Sequence, residues 1–171
     1  MIAAIVAVDG NNGIGFDGEL LEHIPEDMKR FKELTKGEVV IMGRKTWESL
    51  PVQPLPERDN LIISSTLRFT QMKDGYPVGA FPIETLKTTL AFARHEGVKP
   101  HKDFFIIGGG QIYEQLLPYC DTIYMTRIDT VHENVDTYFP PLDLTEWSLV
   151  EWSDWREYNG IPYRFLTYKR V

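Results

Sequence analysis

A carboxylate on the apolar side of a helix is the first feature of this sequence that could do chemistry. Residues 25–36 begin with proline and stop at a glycine, which is typical of a helix with both ends marked. On that helix Asp27 shares a face with Phe31 and Leu34, because residues spaced by one and two helical turns lie on the same side. Two interpretations stay open: an acid that serves a ligand site, or a first-turn acid that complements the helix dipole. If Asp27 belongs to a site, desolvation raises its pKa.

Three consecutive glycines form a second candidate site. They follow the apolar segment Phe104–Ile107, and a helical pattern over 109–117 begins at once. Glycine lets a ligand approach the backbone, and a helix N-terminus favours phosphate. The spacing is not G-x-G-x-x-G, so the dinucleotide fingerprint is absent, and a tight turn without a ligand is the alternative.

A third candidate site places cations at the start of a short helix. Gly43 ends an apolar segment, and Arg44, Lys45 and Thr46 follow it directly. Two cations and a hydroxyl suit a phosphate-bearing ligand, whereas solvated surface cations are the alternative interpretation.

Composition limits the class of protein to which these candidates belong. The 171 residues are 43% hydrophobic and 25% charged, which predicts one globular domain over residues 1–171. A net charge of -7 argues against nucleic acid as a partner. Cys120 is the single cysteine, so no intrachain disulfide is possible. His23, His95, His101 and His132 lack metal-ligand spacing, so we expect surface histidines and no metal. We find no targeting or membrane-spanning segment and expect a cytoplasmic protein.

Short apolar segments rich in β-branched residues provide the scaffold for the candidate sites. These segments are Ile2–Val8, Val39–Met42, Leu61–Ile63, Phe104–Ile107 and Thr122–Ile128. The near-continuous hydrophobicity of the first four predicts strands covered on both faces. Helical patterns over 25–36, 82–96 and 109–117 alternate with the strands, with Gly97 after the second helix. This alternation predicts an α/β fold with a mostly parallel sheet.

The C-terminal part predicts an antiparallel hairpin at the edge of that sheet. Segments 147–157 and 161–171 flank Asn159-Gly160, a pair that accepts the positive φ angles of a type I′ turn. Trp147, Trp152 and Trp155 lie in the hairpin, where we expect them to pack rather than to form a stacking surface.

Taken together, these segments resemble the dihydrofolate reductase family over nearly the whole chain. The matching stretches are IVAVDGNNGIG, IPEDMKRFKELT, VIMGRKTWESL, PLPERDNLIISS, FFIIGGGQIYEQLLP, DTIYMTRID, VDTYFP and YRFLTYKR. The resemblance implies a three-layer, single-domain α/β fold with a mostly parallel eight-stranded sheet and four flanking helices. It also implies hydride transfer from NADPH to the pterin ring of dihydrofolate, with N5 protonated, which produces tetrahydrofolate. Antifolates are then expected ligands, and the protein is expected to be a monomer.

The resemblance also assigns the folate side of the site. Asp27 matches the acid that binds the pterin and promotes N5 protonation, and Thr126 matches the hydroxyl that hydrogen-bonds this acid. Arg58 matches the arginine that pairs with the α-carboxylate of the glutamate tail. The apolar residues and carbonyls around the folate correspond to Met28, Phe31, Leu50, Leu55, Ile5 and Ile107.

On the cofactor side, the resemblance implies two groups of residues. Those lining NADPH correspond to Ala7, Ile14, Gly15, Gly43, Gly109, Gly110, Gln111, Ile112 and Tyr113. Those around its pyrophosphate and 2′-phosphate correspond to Arg44, Lys45, Thr46, Ser64 and Ser65. The family has a cis peptide between two of the glycines, expected here at Gly108-Gly109.

The sequence departs from the family at Leu21 and Glu22, where Pro and Trp are usual. Glu22 brings a second carboxylate toward Asp27, and like-charge repulsion between them would raise the pKa of one acid. Either Glu22 turns into solvent from a mobile loop, or it impairs the site and leaves a folate- and NADPH-binding homologue with low turnover. Asn134 and Val135 also replace the small and acidic residues of some members, at a loop that supports residues 10–21 in the family.

A third hypothesis is a related reductase that acts on another pterin or on a riboflavin precursor. Arg58 argues against it, because only a substrate with a carboxylate tail needs that cation.

Overall fold

The computed structural model describes residues 1–95 and 101–171, and within them the chain forms four α-helices and thirteen β-strands. The helices are α1 (Pro25–Thr35), α2 (Arg44–Ser49), α3 (Ile83–Ala93) and α4 (Gly110–Leu116). The strands are β1 (Ile2–Val8), β2 (Gly13–Phe16), β3 (Glu19–Leu20), β4 (Val39–Gly43), β5 (Asp59–Ile63), β6 (Phe69–Lys73), β7 (Tyr76–Phe81), β8 (Phe104–Gly108), β9 (Thr122–Ile128), β10 (Thr137–Tyr138), β11 (Trp147–Trp152), β12 (Arg156–Tyr158) and β13 (Ile161–Arg170).

One large sheet dominates the described part of the chain, in the order β11-β13-β9-β1-β8-β4-β5-β7-β6 with β12 on β13. The strands from β9 to β7 along that order pair in parallel, whereas β13, β11, β12 and β6 are antiparallel additions. The expected α/β fold with a mostly parallel sheet is therefore confirmed. The sheet has ten strands rather than eight, because the short strands β6 and β12 lengthen the antiparallel ends.

The strands predicted from apolar runs lie at the centre of the sheet and are covered on both faces. Every residue of β4 is buried, and β1 and β8 are buried over most of their length. The predicted helices are present as α1, α3 and α4, and each begins within one residue of the predicted position. Residues 96 and 97, where the second helical pattern was expected to stop, lie outside the described residues.

A second, three-stranded sheet holds the chain that follows β1. Its order is β10-β2-β3, so residues 10–21 are anchored to the connection after β9. The Asp17 backbone N–H donates to Asp136 Oδ2 at 2.9 Å, and the Asp136 N–H donates to the Gly15 carbonyl at 3.1 Å. Asp136 thus supports the 10–21 segment in spite of the changed residues before it.

The predicted hairpin forms around Asn159 and Gly160, which both have positive φ, but its tryptophans do not all pack. Trp147 is 3% exposed, whereas Trp152 is 62% and Trp155 47% exposed. The expectation for the last two is wrong. Trp152 ends the edge strand β11, which has a partner on one side only. Trp155 lies beyond β11, where the Arg164 guanidinium carbon is 4.5 Å from its ring centroid. None of the helices among the described residues is long and apolar enough to cross a membrane.

Candidate functional site

The carboxyl ends of the parallel strands bring most candidate residues to one edge of the sheet. Strands β1, β4, β5 and β8 run in the same direction, so their last residues lie side by side. Gly43 ends β4, Ser64 follows β5, and Gly108 ends β8. Ligands of open α/β sheets bind at this edge, so the topology assembles a site from segments that are far apart in the sequence.

The acid of the site lies where α1 crosses the neighbouring strand. Asp27 is in the first turn of α1 and Thr126 is on β9, 2% exposed. The Thr126 hydroxyl donates to Asp27 Oδ1 at 2.5 Å. The structure therefore brings together the acid and the hydroxyl that the family resemblance paired, across 99 residues of sequence.

Burial raises the pKa of Asp27 above its ordinary value of 3.8, as the sequence analysis expected. Desolvation is the largest cause, and the hydrogen bond from Thr126 and the charge of Arg30 oppose it without cancelling it. A carboxyl group with a raised pKa is suited to hold or pass on a proton near neutral pH.

Arg30 is a site residue that the sequence patterns did not identify. Its guanidinium carbon lies 4.5 Å from the Phe165 ring centroid and 5.5 Å from that of Tyr124. Burial lowers the pKa of Arg30, while Asp27, one turn before it on α1, favours the charged form. The three-residue spacing from Asp27 was a signal that could have found it.

We predict that Thr126→Val raises the pKa of Asp27 further. The substitution keeps the side-chain shape and removes a hydrogen bond that stabilises the carboxylate. Hydrogen bonds to charged groups contribute about 1.5–3 kcal/mol, which corresponds to roughly one to two pH units. Titration of the Asp27 carboxyl by ¹³C NMR measures the shift, and Thr126→Ser, which keeps the hydroxyl, is the control. An unchanged or lower midpoint in Thr126→Val contradicts this account of the site.

Apolar residues that the resemblance assigned to the folate share one cluster of the core. Four of the predicted substrate residues pack partly buried against one core cluster: Ile5, Leu50, Leu55 and Ile107. Met28 is 45% exposed and lies at the rim. The Ile5 carbonyl accepts a 2.7 Å hydrogen bond from the buried Tyr113 hydroxyl, which fixes the direction of this carbonyl.

Arg58 is buried at the opposite end of the α1 face from Asp27. Only 5% exposed, it donates from Nη1 to Thr35 Oγ1 at 3.2 Å and from Nε to the Pro56 carbonyl at 2.8 Å. Its guanidinium carbon lies 5.9 Å from the Phe31 ring centroid. Burial lowers its pKa, and among the described residues no carboxylate forms an ion pair with it. A buried cation with free N–H donors and no internal anion suits a carboxylate ligand.

The glycines at and just after the ends of β4 and β8 fall into two groups. Packing explains Gly43 and Gly110, since an added Cβ would lie 2.9 Å from Ile112 Cγ1 and 3.0 Å from Thr137 Cγ2, respectively. Gly108 has a φ of +125°, and a Cβ there would lie 3.4 Å from the Tyr113 ring, whereas a Cβ on Gly109 would have only the Thr46 hydroxyl nearby, at 3.7 Å. The bond between them is cis, as expected.

The cations beside these glycines are exposed, and one of them has partners. Both Arg44 and Lys45 are exposed. Arg44 donates from Nε to Glu48 Oε1 at 2.7 Å and from Nη1 to Thr66 Oγ1 at 3.1 Å. The Ser64 hydroxyl accepts the backbone N–H groups of residues 66 and 67, and Ser65 is exposed. Bare glycine backbone, a hydroxyl and exposed cations fit the phosphates of a dinucleotide.

The remaining candidate cofactor residues lie on β1, the small sheet and α4. Ala7 is partly buried on β1, Ile14 is 8% exposed, and Gly15 pairs with Leu20 and Thr137. Gln111 is exposed at the start of α4. The small sheet reaches α4 at Gly110, where an added Cβ would lie 3.0 Å from Thr137 Cγ2.

Glu22 is not among the charges that act on Asp27, and it does not turn into solvent. Its carboxylate contacts His132 at 2.9 Å and is 29% exposed. His132, expected to be a surface residue, is 19% exposed and also contacts the buried Asp9. Sequence patterns missed Asp9 and His132 because 123 residues separate them.

Known proteins match the chain over its full length. A family model described as dihydrofolate reductase matches residues 1–170. The dihydrofolate reductase of Bacillus subtilis is 38% identical over 99% of this chain and 95% of its own length, and that of Neisseria gonorrhoeae is 38% identical over 98% and 96%. A structure of Enterococcus faecalis dihydrofolate reductase, complexed with NADP(H) and RAB-propyl, superposes with a TM-score of 0.79 at 32% identity, covering 99% of this chain and 96% of that one. This chain belongs to the dihydrofolate reductase family.

Proposed function

We propose that this chain reduces 7,8-dihydrofolate to tetrahydrofolate with NADPH. One observation carries the proposal: Asp27 lies near the start of α1, and the buried Arg58, which has no carboxylate partner among the described residues, contacts Thr35 at the end of the same helix. From Asp27 to Thr35, which contacts Arg58, the helix rises by about 12 Å. Dihydrofolate carries N–H donors on its pterin and a carboxylate on its glutamate tail, so it matches both ends.

Asp27 acts on the pterin and on its proton. Its two carboxylate oxygens accept from N3 and the 2-amino group, an arrangement that favours planar, two-point binding. The charge of the Asp27 carboxylate favours protonation of N5 through solvent, and the burial that raises the pKa of Asp27 also strengthens this charge interaction. When bound, NADPH supplies the hydride that adds to C6 of the pterin. Thr126 orients the acid, and the apolar residues around it exclude water from the ring.

Two groups of residues are proposed to hold NADPH. Ala7, Ile14, Gly15 and the residues from Gly109 to Tyr113 line the nicotinamide and pyrophosphate, with Gly43 opposite. Arg44, Lys45, Thr46, Ser64 and Ser65 surround the phosphates. The family match and the NADP(H)-bound neighbour from Enterococcus faecalis support this cofactor.

We predict that Lys45→Gln weakens NADPH binding about tenfold and leaves NADH binding unchanged. Only NADPH carries the 2′-phosphate, and the substitution removes a charge-assisted contact to it of about 1.5 kcal/mol. Lys45 is the sharper choice because Arg44 already pairs with Glu48. Isothermal titration of both cofactors measures the effect, with Lys87→Gln on α3 as the control. Equal weakening of both cofactors would show that Lys45 contacts only the shared pyrophosphate.

The two alternatives from the sequence lose support. The low-turnover hypothesis needs Glu22 beside Asp27, and Glu22 is bound to His132 instead. A reductase for a pterin or riboflavin precursor without a tail has no use for the buried Arg58.

The domain organisation, oligomeric state and cellular location of the protein are also part of the proposal. The family match over 1–170 and a sheet that joins β1 to β9 and β13 support one domain over 1–171. We also propose that the protein is a monomer. We place its role in the cytoplasm, in tetrahydrofolate supply for one-carbon metabolism, and expect antifolates to bind at the same site.

Isotope transfer tests the proposed reaction. Purified protein is incubated with dihydrofolate and NADPH in which both hydrogens at C4 of the nicotinamide are deuterium. We expect deuterium at C6 of tetrahydrofolate, detected by mass spectrometry and NMR. Tetrahydrofolate without deuterium, or its absence, contradicts the proposal.

A further inference from the structure

His132 lies between two carboxylates. Its Nδ1 is 3.1 Å from Asp9 Oδ2, and its Nε2 is 2.9 Å from Glu22 Oε1. The His132 backbone N–H also donates to Asp9 Oδ2 at 3.1 Å. Both ring nitrogens of the partly buried His132 imidazole therefore contact carboxylates, and both carboxylates are more than 100 residues from His132 in the sequence.

This geometry requires a charged ring. Carboxylate oxygens only accept hydrogen bonds, and a neutral imidazole has a single N–H, so both contacts are satisfied only by an imidazolium. Burial opposes the charge, but the hydrogen bonds and charges of Glu22 and Asp9 outweigh it and raise the pKa of His132 above 6.5.

Asp9 is the fixed end of this arrangement. It is fully buried after β1, and its Oδ1 accepts the backbone N–H groups of Asn11 at 2.9 Å and Gly13 at 2.8 Å. Burial favours the neutral acid, yet these donors and His132 together lower its pKa. Glu22 has no other hydrogen bond among those found in the described residues, so its position depends on His132.

Asp9 and Glu22 flank the 10–21 segment, and Glu22 comes five residues before Asp27. We propose that the His132 imidazolium is a positioning residue that ties Glu22 to Asp9, joins the two ends of the 10–21 segment and keeps the Glu22 carboxylate away from Asp27. This inference rests on the proposed function, because it assigns His132 a role in the same site.

Other charges face the bridge from each adjoining element. On β9, Arg127 donates from Nη1 to the Asp9 carbonyl at 3.1 Å. Asp17, Glu19 and Glu133 line the adjoining groove of about 560 Å³ together with His132.

The bridge makes the segment sensitive to pH. Because the pKa of His132 is raised in the folded protein, its contribution to stability is full below the ordinary pKa of 6.5 and is lost as pH rises through the higher folded value. Deprotonation leaves one N–H for two acids. Asp9 is fully buried and cannot exchange the ring N–H for water, whereas Glu22 is 29% exposed, so the contact with Glu22 is the one released.

Histidine ring NMR of the resting protein tests the bridge without any turnover. We expect His132, assigned by its loss in His132→Gln, to titrate above 6.5. In Glu22→Gln, which keeps an acceptor for Nε2 and removes the charge, we expect the midpoint to fall. A His132 midpoint at or below 6.5, or one that Glu22→Gln leaves unchanged, overturns the proposal.

Kinetics then test whether the bridge positions the site. In the parent protein we expect the KM for dihydrofolate to rise several-fold as pH passes through the His132 midpoint. In His132→Gln the KM stays high at every pH, with a smaller change in kcat. His23→Gln, one residue from Glu22 and exposed, keeps the parent profile.

Glu22→Gln keeps the kinetic test decisive if His132→Gln does not fold. It should make the step in KM smaller, because the variant brings no charge toward Asp27, and should move what remains of the step to lower pH, in parallel with the NMR midpoint. A step in KM that does not follow the ring midpoint contradicts the positioning role. A protein with the expected ring titration but no dihydrofolate reduction contradicts the proposed function instead.

Discussion

Asp27→Asn lowers kcat/KM for dihydrofolate at neutral pH by about 10²–10³-fold, within the range that a positioned acid or base contributes. Asparagine keeps the shape of the side chain and the contact with Thr126. It offers only one acceptor oxygen to the two N–H donors of the pterin, and it carries no charge to favour protonation of N5. The loss therefore falls on both binding and the chemical step.

The loss should depend on pH. As pH falls, more dihydrofolate is protonated in solution, and the variant has less need of the missing acid, so its activity recovers toward that of the parent. Steady-state rates across pH measure this recovery. Glu33→Gln, an exposed acid on the same helix, is the control and should keep the parent profile. A loss in Asp27→Asn that is the same at every pH contradicts the proposed role of Asp27.

Arg58→Gln raises the KM for dihydrofolate by about 100-fold, because two charge-assisted hydrogen bonds to the tail carboxylate are lost. A dihydropterin without the tail should show little change, since it never contacts this residue. Arg58→Lys keeps the charge without the two-pronged geometry and should fall between the parent and Arg58→Gln.

The tail-less substrate also separates binding from folding. Arg58 contacts Thr35 and Pro56, so its loss also lowers stability, and thermal unfolding of each variant is measured alongside. Equal losses for both substrates in a folded variant would contradict the assignment of Arg58 to the tail. They would also reopen the hypothesis of a reductase for other pterins.

Local patterns predicted the parts of the fold that are set by local physics. The face shared by Asp27 and Phe31 follows from helical periodicity alone, and the raised pKa of Asp27 follows from placing an acid on an apolar face. Strand β7 escaped detection because Pro77 and Gly79 interrupt its apolar pattern.

Long-range contacts set the rest of the site, and no local pattern reports them. Arg58 resembles an ordinary loop cation until the fold places it against Thr35, 23 residues away. The resemblance to the family supplied its role, but no resemblance predicted the partner of Glu22. His132 meets that carboxylate across 110 residues, and only the assembled sheet brings them together.

The central claim is tested most directly by adding dihydrofolate to the purified protein with NADPH and monitoring the oxidation of NADPH by its absorbance. We expect NADPH to be consumed only when both dihydrofolate and the protein are present, at a rate that declines toward alkaline pH and is blocked by methotrexate. A protein that binds NADPH but shows no dihydrofolate-dependent oxidation at any pH would contradict the proposed activity, and a binding homologue with low turnover would then be the better account.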